Sequence, residues 1–266
     1  MKKIYVLLIP FIVLAACRKD HASAPSTNPA NYELVAYADH YNGTVSDSVA
    51  LNYTSGHLLN SYTVFVYGAA ATDASTYQVV YFNNEVTRIN IVSMTYASYY
   101  NYHYNAGNLL DTIKWYTGDN PNPTQSWAFS YNAVRWITDE YVYGQSSLAD
   151  HFSFTYDALG NVSEEIDSST ARGVAADTVQ YSNYDNKVNP LTAIPGFPKS
   201  VAPLPALDMQ FFSSPNNYGT LARSVEIAPG QFQTNTTNFT YQYNMAGLPT
   251  AIINGLDTVR LTYRQY

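Results

Sequence analysis

Only a few side chains in this sequence have the type and spacing to do chemistry. The one thiol is Cys17, which closes an apolar run, so no disulfide forms within the chain and the sulfur is available for modification. Paired carboxylates occur at Asp139-Glu140 and at Glu164-Glu165, with Asp167 close by. Glycoside hydrolysis needs two such groups roughly 5–10 Å apart across a sugar. Adjacent residues of a strand point to opposite faces, so neither pair is itself a dyad, and both are expected to be solvated edge charges. The histidines, His21, His40, His57, His103 and His151, are scattered, with none of the close spacings that metal ligation uses. No metal, cofactor or phosphate loop is implied, and no nucleophile elbow occurs. Aromatic rings are the remaining candidates. Tyr96, Tyr99, Tyr100, Tyr102 and Tyr104 crowd one segment, and Trp115, Trp127 and Trp136 follow. Rings on a sheet face stack on sugars or receive another protein. Tyr96, Tyr100, Tyr102, Trp115 and Trp127 are the expected ligand surface. In a thin sheet the same rings also serve as core.

These groups must be positioned by strands. Four segments open with an acid, a hydroxyl and an aliphatic residue: Asp47-Ser48-Val49, Asp111-Thr112-Ile113, Asp177-Thr178-Val179 and Asp257-Thr258-Val259. Three run on with period-two alternation to Tyr53, Tyr181 and Tyr263, which places one set of side chains on one face. A second element joins a tyrosine, a turn with Asn, Asp or Gly, and an aliphatic residue. Copies are Tyr53-Thr54-Ser55-Gly56-His57-Leu58, Tyr104-Asn105-Ala106-Gly107-Asn108-Leu109, Tyr156-Asp157-Ala158-Leu159-Gly160-Asn161-Val162 and Tyr243-Asn244-Met245-Ala246-Gly247-Leu248. The tyrosine ends a strand, the Asn or Asp side chain opens the turn, and the glycine supplies positive φ. Landmark tyrosines at 53, 81, 104, 131, 156 and 184 are 23 to 28 residues apart, which holds two strands and two turns. The expected fold is all-β, a single curved antiparallel sheet built of repeated β-hairpins. Residues 186–230 form a Pro-rich insertion, read as loops or edges that cover the sheet or act as a lid.

The chain begins with Lys2 and Lys3, then an apolar run from Ile4 to Ala16 that is too short to span a bilayer and suits a secretory signal. Leu14-Ala15-Ala16-Cys17 resembles the lipobox of bacterial lipoproteins. That resemblance implies cleavage between Ala16 and Cys17 and lipidation of Cys17. Residues 17–31 are then a lipidated stalk and residues 32–266 the β-repeat domain. Lys19-Asp20 resembles part of the export signal of Bacteroidetes-type surface lipoproteins, which favours the outer membrane and leaves exposure to the outside open. Tyr156-Asp157-Ala158-Leu159-Gly160-Asn161-Val162 resembles the Tyr-Asp (YD) repeat of Rhs-type proteins, which coil a long β-sheet into a shell. With Tyr184-Asp185-Asn186-Lys187-Val188-Asn189-Pro190, the whole is similar to Bacteroidetes-type lipoproteins of unknown function that carry degenerate YD repeats. Ser48, Thr112, Thr178 and Thr258 resemble the O-glycosylation acceptors of exported Bacteroidetes-type proteins. The rival reading is that they open strands.

The formal charge is −7 and no basic run occurs, which argues against a nucleic-acid partner. Charged residues are 12 % of the chain, about half the usual share. Tyrosine, at 26 residues, supplies polarity instead and suits a pleated, half-buried surface. The expectation is a noncatalytic envelope module, tethered to a membrane, that binds a glycan or a protein. The alternatives are a carrier of lipid or another hydrophobic ligand in a curved-sheet cavity, and a glycoside hydrolase-like enzyme.

Overall fold

The computed structural model describes residues 31–67, 72–92, 97–144, 147–168, 177–191, 194, 214–228 and 230–266. The signal, Ala16, Cys17 and Tyr96 lie outside them. The chain forms β1 (Tyr32–Tyr41), β2 (Thr44–Tyr53), β3 (Leu59–Tyr67), β4 (Thr72–Phe82), β5 (Glu85–Ile91), β6 (Ser98–Tyr104), β7 (Leu110–Thr117) and β8 (Gln125–Tyr131). It continues through β9 (Ile137–Gly144), β10 (Ser147–Tyr156), β11 (Val162–Asp167), β12 (Asp177–Ser182), β13 (Thr220–Ala228), β14 (Gln231–Asn238), β15 (Thr240–Tyr243), β16 (Pro249–Asn254) and β17 (Asp257–Gln265).

All of these strands belong to one antiparallel sheet, as the sequence predicts. The sheet also does something the local pattern does not announce: it returns to its start. β17 pairs with β1 from Tyr32↔Gln265 to Tyr41↔Asp257, so the meander becomes a nearly closed barrel. β14 and β15 follow one another across Phe239 as one interrupted strand, the first held by β13 and the second by β16. Counting them as one makes the strand number even, which an antiparallel ring requires if first and last strands are to pair in opposite directions. The seam is clasped on the outer wall. Glu33 of β1, 2 % exposed, accepts hydrogen bonds from Arg264 of β17 and pairs with His57 of the β2–β3 turn (Nδ1–Oε1 2.8 Å). His57 in turn stacks on Tyr266.

The repeating unit has a fastening that explains its tyrosine. The landmark hydroxyl reaches across the sheet and donates to the carbonyl of a residue at the start of the preceding unit. Tyr53 bonds Leu34 (2.8 Å), Tyr81 bonds Leu59 (2.8 Å), Tyr104 bonds Val86 (3.0 Å) and Tyr131 bonds Leu110 (2.7 Å). Tyr156 to Ile137, Tyr184 to Val162, Tyr241 to Tyr218 and Tyr263 to Pro249 continue the series. Phenylalanine would fill the same space and take that donor away from these carbonyls.

After the tyrosine, the Asn or Asp side chain accepts two backbone N–H groups, as Asp157 does from Leu159 (2.8 Å) and Asn161 (2.9 Å). Asn105, Asn132 and Asn244 repeat the pattern. The third residue after the tyrosine's successor takes positive φ. This is Gly160 and Gly247 in two copies, but His57 and Asn108 in two others. The expectation that Gly56 and Gly107 supply the left-handed residue is therefore corrected. It falls one position later, where Asn108 tolerates it and His57 is held by Glu33 and Tyr266.

Alternation sends one face inward. Val49, Leu51, Leu59, Tyr62, Val64, Tyr77, Val79, Ile89, Ile113 and Leu261 belong to one continuous apolar cluster. Leu59, Tyr62, Val86 and Ile89 have no accessible surface, so they border no space that would admit water. The outward positions read Ser46, Ser48, Asn52, Ser61, Thr63, Thr76 and Gln78, and hydroxyl pairs such as Thr63–Thr76 (3.1 Å) cross the strands. The insertion is shorter than expected. β13 starts at Thr220, ahead of the expected end at residue 230, because Thr220–Ala228 is free of proline and alternates Leu221, Arg223 and Val225. Its described flanks fold back on each other through Val188↔Asn216 and Asn189 N–H to the Pro215 carbonyl (2.9 Å). Leu191, Ile194 and Tyr218 join the core, so these flanks cover apolar sheet.

Candidate ligand face

Four of the expected ligand residues lie on one face, and that face is the inner one. Tyr100 pairs with Ile89 and Trp115, and Tyr102 with Ile113, so these rings share the core's parity. Tyr102 is 4 % exposed, and the Tyr100 ring lies 6.0 Å from Trp115 and 6.1 Å from Trp127. The aromatic cluster is therefore interior wall rather than an outward surface. Burial pushes the hydroxyls of Tyr100 and Tyr102 up. The Tyr102 hydroxyl and the Trp115 Nε1 have no hydrogen-bond partner among the described residues.

The other parity supplies the outward rings. Tyr99 of β6 and Tyr116 of β7 are directly opposed and stack at 4.9 Å with planes 17° apart. The Arg88 guanidinium lies 3.7 Å over the Tyr99 ring, and its Nε donates to Asn90 Oδ1 at 2.8 Å. Asn90 pairs with Tyr99, and Arg88 with Asn101, which pairs with Lys114. Three strands thus present two half-buried rings edged by an arginine, a lysine and two amides. The signal was present in the sequence: Tyr99 has the parity opposite to Tyr100, and its neighbours on that parity are polar. A second outward stack, Tyr141 on His151 (4.5 Å), is tied to Asp139, whose Oδ1 lies 3.0 Å from His151 Nε2.

The paired carboxylates split between the faces. Asp139 and Glu164 point outward, but Glu140 and Glu165 point inward, because Glu140 alternates with Val142 and pairs with Phe129 and Phe152, while Glu165 pairs with Phe154 and Val179. The expectation of solvated edge charges fails at Glu140, which is 1 % exposed with no partner for Oε1 among the described residues. Burial first, and then the charge of Glu165, pushes its carboxyl up to about 8. Glu165 accepts a hydrogen bond from the Tyr181 hydroxyl (3.1 Å), and nearby Asp177 pairs with Arg223 (2.8 Å). A glycosidase would present its two acids to a sugar, whereas the Glu140 carboxyl is buried in the inner wall. A lipid carrier would leave its aliphatic wall open, whereas the wall around Leu59, Tyr62 and Ile89 is packed.

Ser48, Thr112, Thr178 and Thr258 all lie on the outer wall, half-buried within the ladder, and the Ser48 hydroxyl sits 3.1 Å from that of Tyr67. Asp111, Asp177 and Asp257 stand at or next to strand starts, while Asp47 is inside β2.

No family model and no curated protein matches the chain. Among solved structures, a porin-like protein from Bacteroides uniformis superposes with a TM-score of 0.58 at 13 % identity, over 89 % of this chain and 98 % of that one. A porin-like protein from Bacteroides vulgatus gives 0.41 at 12 % identity, over 87 % and 98 %. A TcdB2-TccC3-Cdc42 structure gives 0.34 at 12 % identity, over 81 % of this chain and 13 % of that one. At these identities the first likeness is one of fold, and it extends over nearly the whole of both chains.

Proposed function

We propose that this chain is a noncatalytic envelope protein of the outer membrane, held by lipid on Cys17, whose barrel offers the Tyr99–Tyr116 face to a glycan. The observation that carries the reading is the outward stack with Arg88 over Tyr99. The apolar face of a sugar ring lies on aromatic rings, and the guanidinium, Lys114 and the amides of Asn90 and Asn101 stand where its hydroxyls need donors and acceptors. The envelope address rests on Leu14-Ala15-Ala16-Cys17 and on the likeness of fold to a Bacteroides porin-like protein.

A pore through the membrane is not the use we infer for this barrel. Membrane-spanning barrels turn apolar residues to the lipid and polar ones to the lumen. Here the apolar side chains fill the inside, and Ser, Thr, Asn and Gln populate the outer wall.

Binding of the full chain to an array of bacterial and host oligosaccharides, repeated with Tyr99→Ala and Tyr116→Ala, tests the face. Each lost ring is expected to weaken binding by about 1 kcal/mol, roughly fivefold in affinity. A bound glycan held equally well by both variants would remove this face from consideration.

A further inference from the structure

We propose that the exposed edge of β14 is a docking strand for a second copy of this chain, which pairs with it antiparallel, edge to edge, about a two-fold axis at Thr234.

β13 and β14 run on where their neighbours stop. The ladder of β13 with β12 ends at Thr178↔Ser224, and β16 takes up the continuing strand only from Thr240↔Ile253 onward. Beyond these points β13 and β14 form a two-stranded ribbon, held within itself as far as Ala228↔Gln231. Every residue from Gln231 to Thr236 is exposed, whichever face its side chain takes. A ribbon of two strands is marginal in water, and further strands make it stable.

The backbone fixes which groups are open. The Phe239 N–H donates to the Gly219 carbonyl (2.8 Å). Successive residues of a strand turn their N–H and C=O to opposite sides. Gln233, Asn235 and Thr237 therefore face β13, and Phe232, Thr234 and Thr236 face away from it. No described strand forms a ladder with β14 on that side.

The side chains select the occupant. Gln231-Phe232-Gln233-Thr234-Asn235-Thr236-Thr237-Asn238 has no charge and no proline. An edge strand is ordinarily guarded by lysine, proline or a bulge, and an unguarded one is a template for another strand. Two copies, each of formal charge −7, repel on approach, and a charge-free strand is where that repulsion is least. The nearest charges of the ribbon, Arg223 and Glu226, stand one strand away on β13. Pairing about Thr234 sets Phe232 of each copy opposite Thr236 of the other, so the half-exposed ring gains cover. Hydroxyls and amides both donate and accept, which lets the strand serve as its own partner. The product is a four-stranded ribbon in the order β13, β14, β14, β13. Each copy uses its β14 edge in the pair, so the assembly closes at two.

The test is sedimentation of the full chain, made in cells and held in a density-matched detergent, across a wide range of protein concentration. The wild type is expected to pass from the mass of one chain to twice that mass as concentration rises. Thr236→Pro removes an N–H that points away from β13, so the β13 ladder keeps its bonds. Thr234→Lys sets two like charges against each other on the axis and gives up only an exposed hydroxyl pair with Ser224 (2.7 Å). Both variants are expected to keep the wild-type far-ultraviolet circular dichroism and to stay at the mass of one chain throughout. If the proline disturbs the hairpin, Thr234→Lys decides. Amide exchange, followed residue by residue in the concentrated wild type, should show the N–H groups of Phe232, Thr234 and Thr236 protected along with those of Gln233, Asn235 and Thr237. Dilution should release the first set alone. A wild type that stays a single chain at every concentration overturns the proposal, as does one that grows past two. A dimer that survives either variant, or one whose Thr234 and Thr236 N–H groups exchange freely, also overturns it, since the copies then meet elsewhere.

Discussion

At Glu140 a carboxyl stands in the ladder between Phe129 and Phe152, with Glu165 one strand beyond Phe152. Its folded-state value of about 8 lies above the ordinary 4.5, so the folded chain keeps a proton there that the unfolded chain gives up. Between those two values the native state binds more protons than the unfolded one, and stability falls as pH rises. The contribution is whole below the ordinary carboxylate range and is lost as pH passes through about 8. Glu140→Gln removes the titration while keeping the shape. Thermal melts followed by circular dichroism should show the variant and the wild type close together at about pH 4, and the variant melting higher at about pH 9. Parallel melting curves across that range would show that Glu140 is not the buried acid described. The parity of Asp139-Glu140 was legible in the sequence, and so was the split between faces. Which face is buried, and how deeply, was not, because that depends on Phe129 and Phe152 from two other strands.

Each turn is a small device with separable parts: an acceptor side chain, a left-handed residue and a tyrosine fastened to the previous unit. Gly160 shows what the second part demands. Its φ is +86°, and an added Cβ would stand 2.8 Å from Cζ2 of Trp136. Gly160→Ala should cost about 1–3 kcal/mol in chemical denaturation, the scale of a strained backbone position with a steric conflict added. Gly56→Ala serves as its control. That glycine does not have positive φ, and the nearest atom to an added Cβ is Thr54 Oγ1 at 3.7 Å, so a change within about 0.5 kcal/mol is expected. The sequence displays the spacing of the tyrosines and the Asx residues directly, which is why the hairpins were predictable. It assigned the left-handed position to glycine by type, and in two copies other contacts place it on His57 and Asn108. The hydroxyl-to-carbonyl fastening was invisible, since Tyr104 and Val86 lie on neighbouring strands β6 and β5 and meet through a register that the local pattern does not fix.

On the scale of the whole molecule, the seam between β1 and β17 decides whether the sheet is an open meander or a barrel. No local pattern encodes that pairing: Tyr37 and Leu261 lie at opposite ends of the sequence and meet only through accumulated twist. Glu33 is the residue that commits the seam, since Arg264 and His57 both depend on its carboxylate. Glu33→Gln should lower stability by about 1.5–3 kcal/mol, the scale of hydrogen bonds to a charged group. Amide hydrogen exchange should quicken first along β1 and β17, with β6 to β9 little changed. Uniform protection in the variant would place the commitment elsewhere.

That seam also sets a timetable. Among the described strands β1 is the first to leave the ribosome and β17 the last, so the ring stays open until β17 has been made. Throughout that interval the backbone edge of β1 is unpaired and the apolar inner wall is only partly covered. Pairing between chain ends is the slowest kind of contact to establish. A chain cut short before Asp257 therefore does not lose one hairpin's share of stability: it keeps every local turn and has no means of closing.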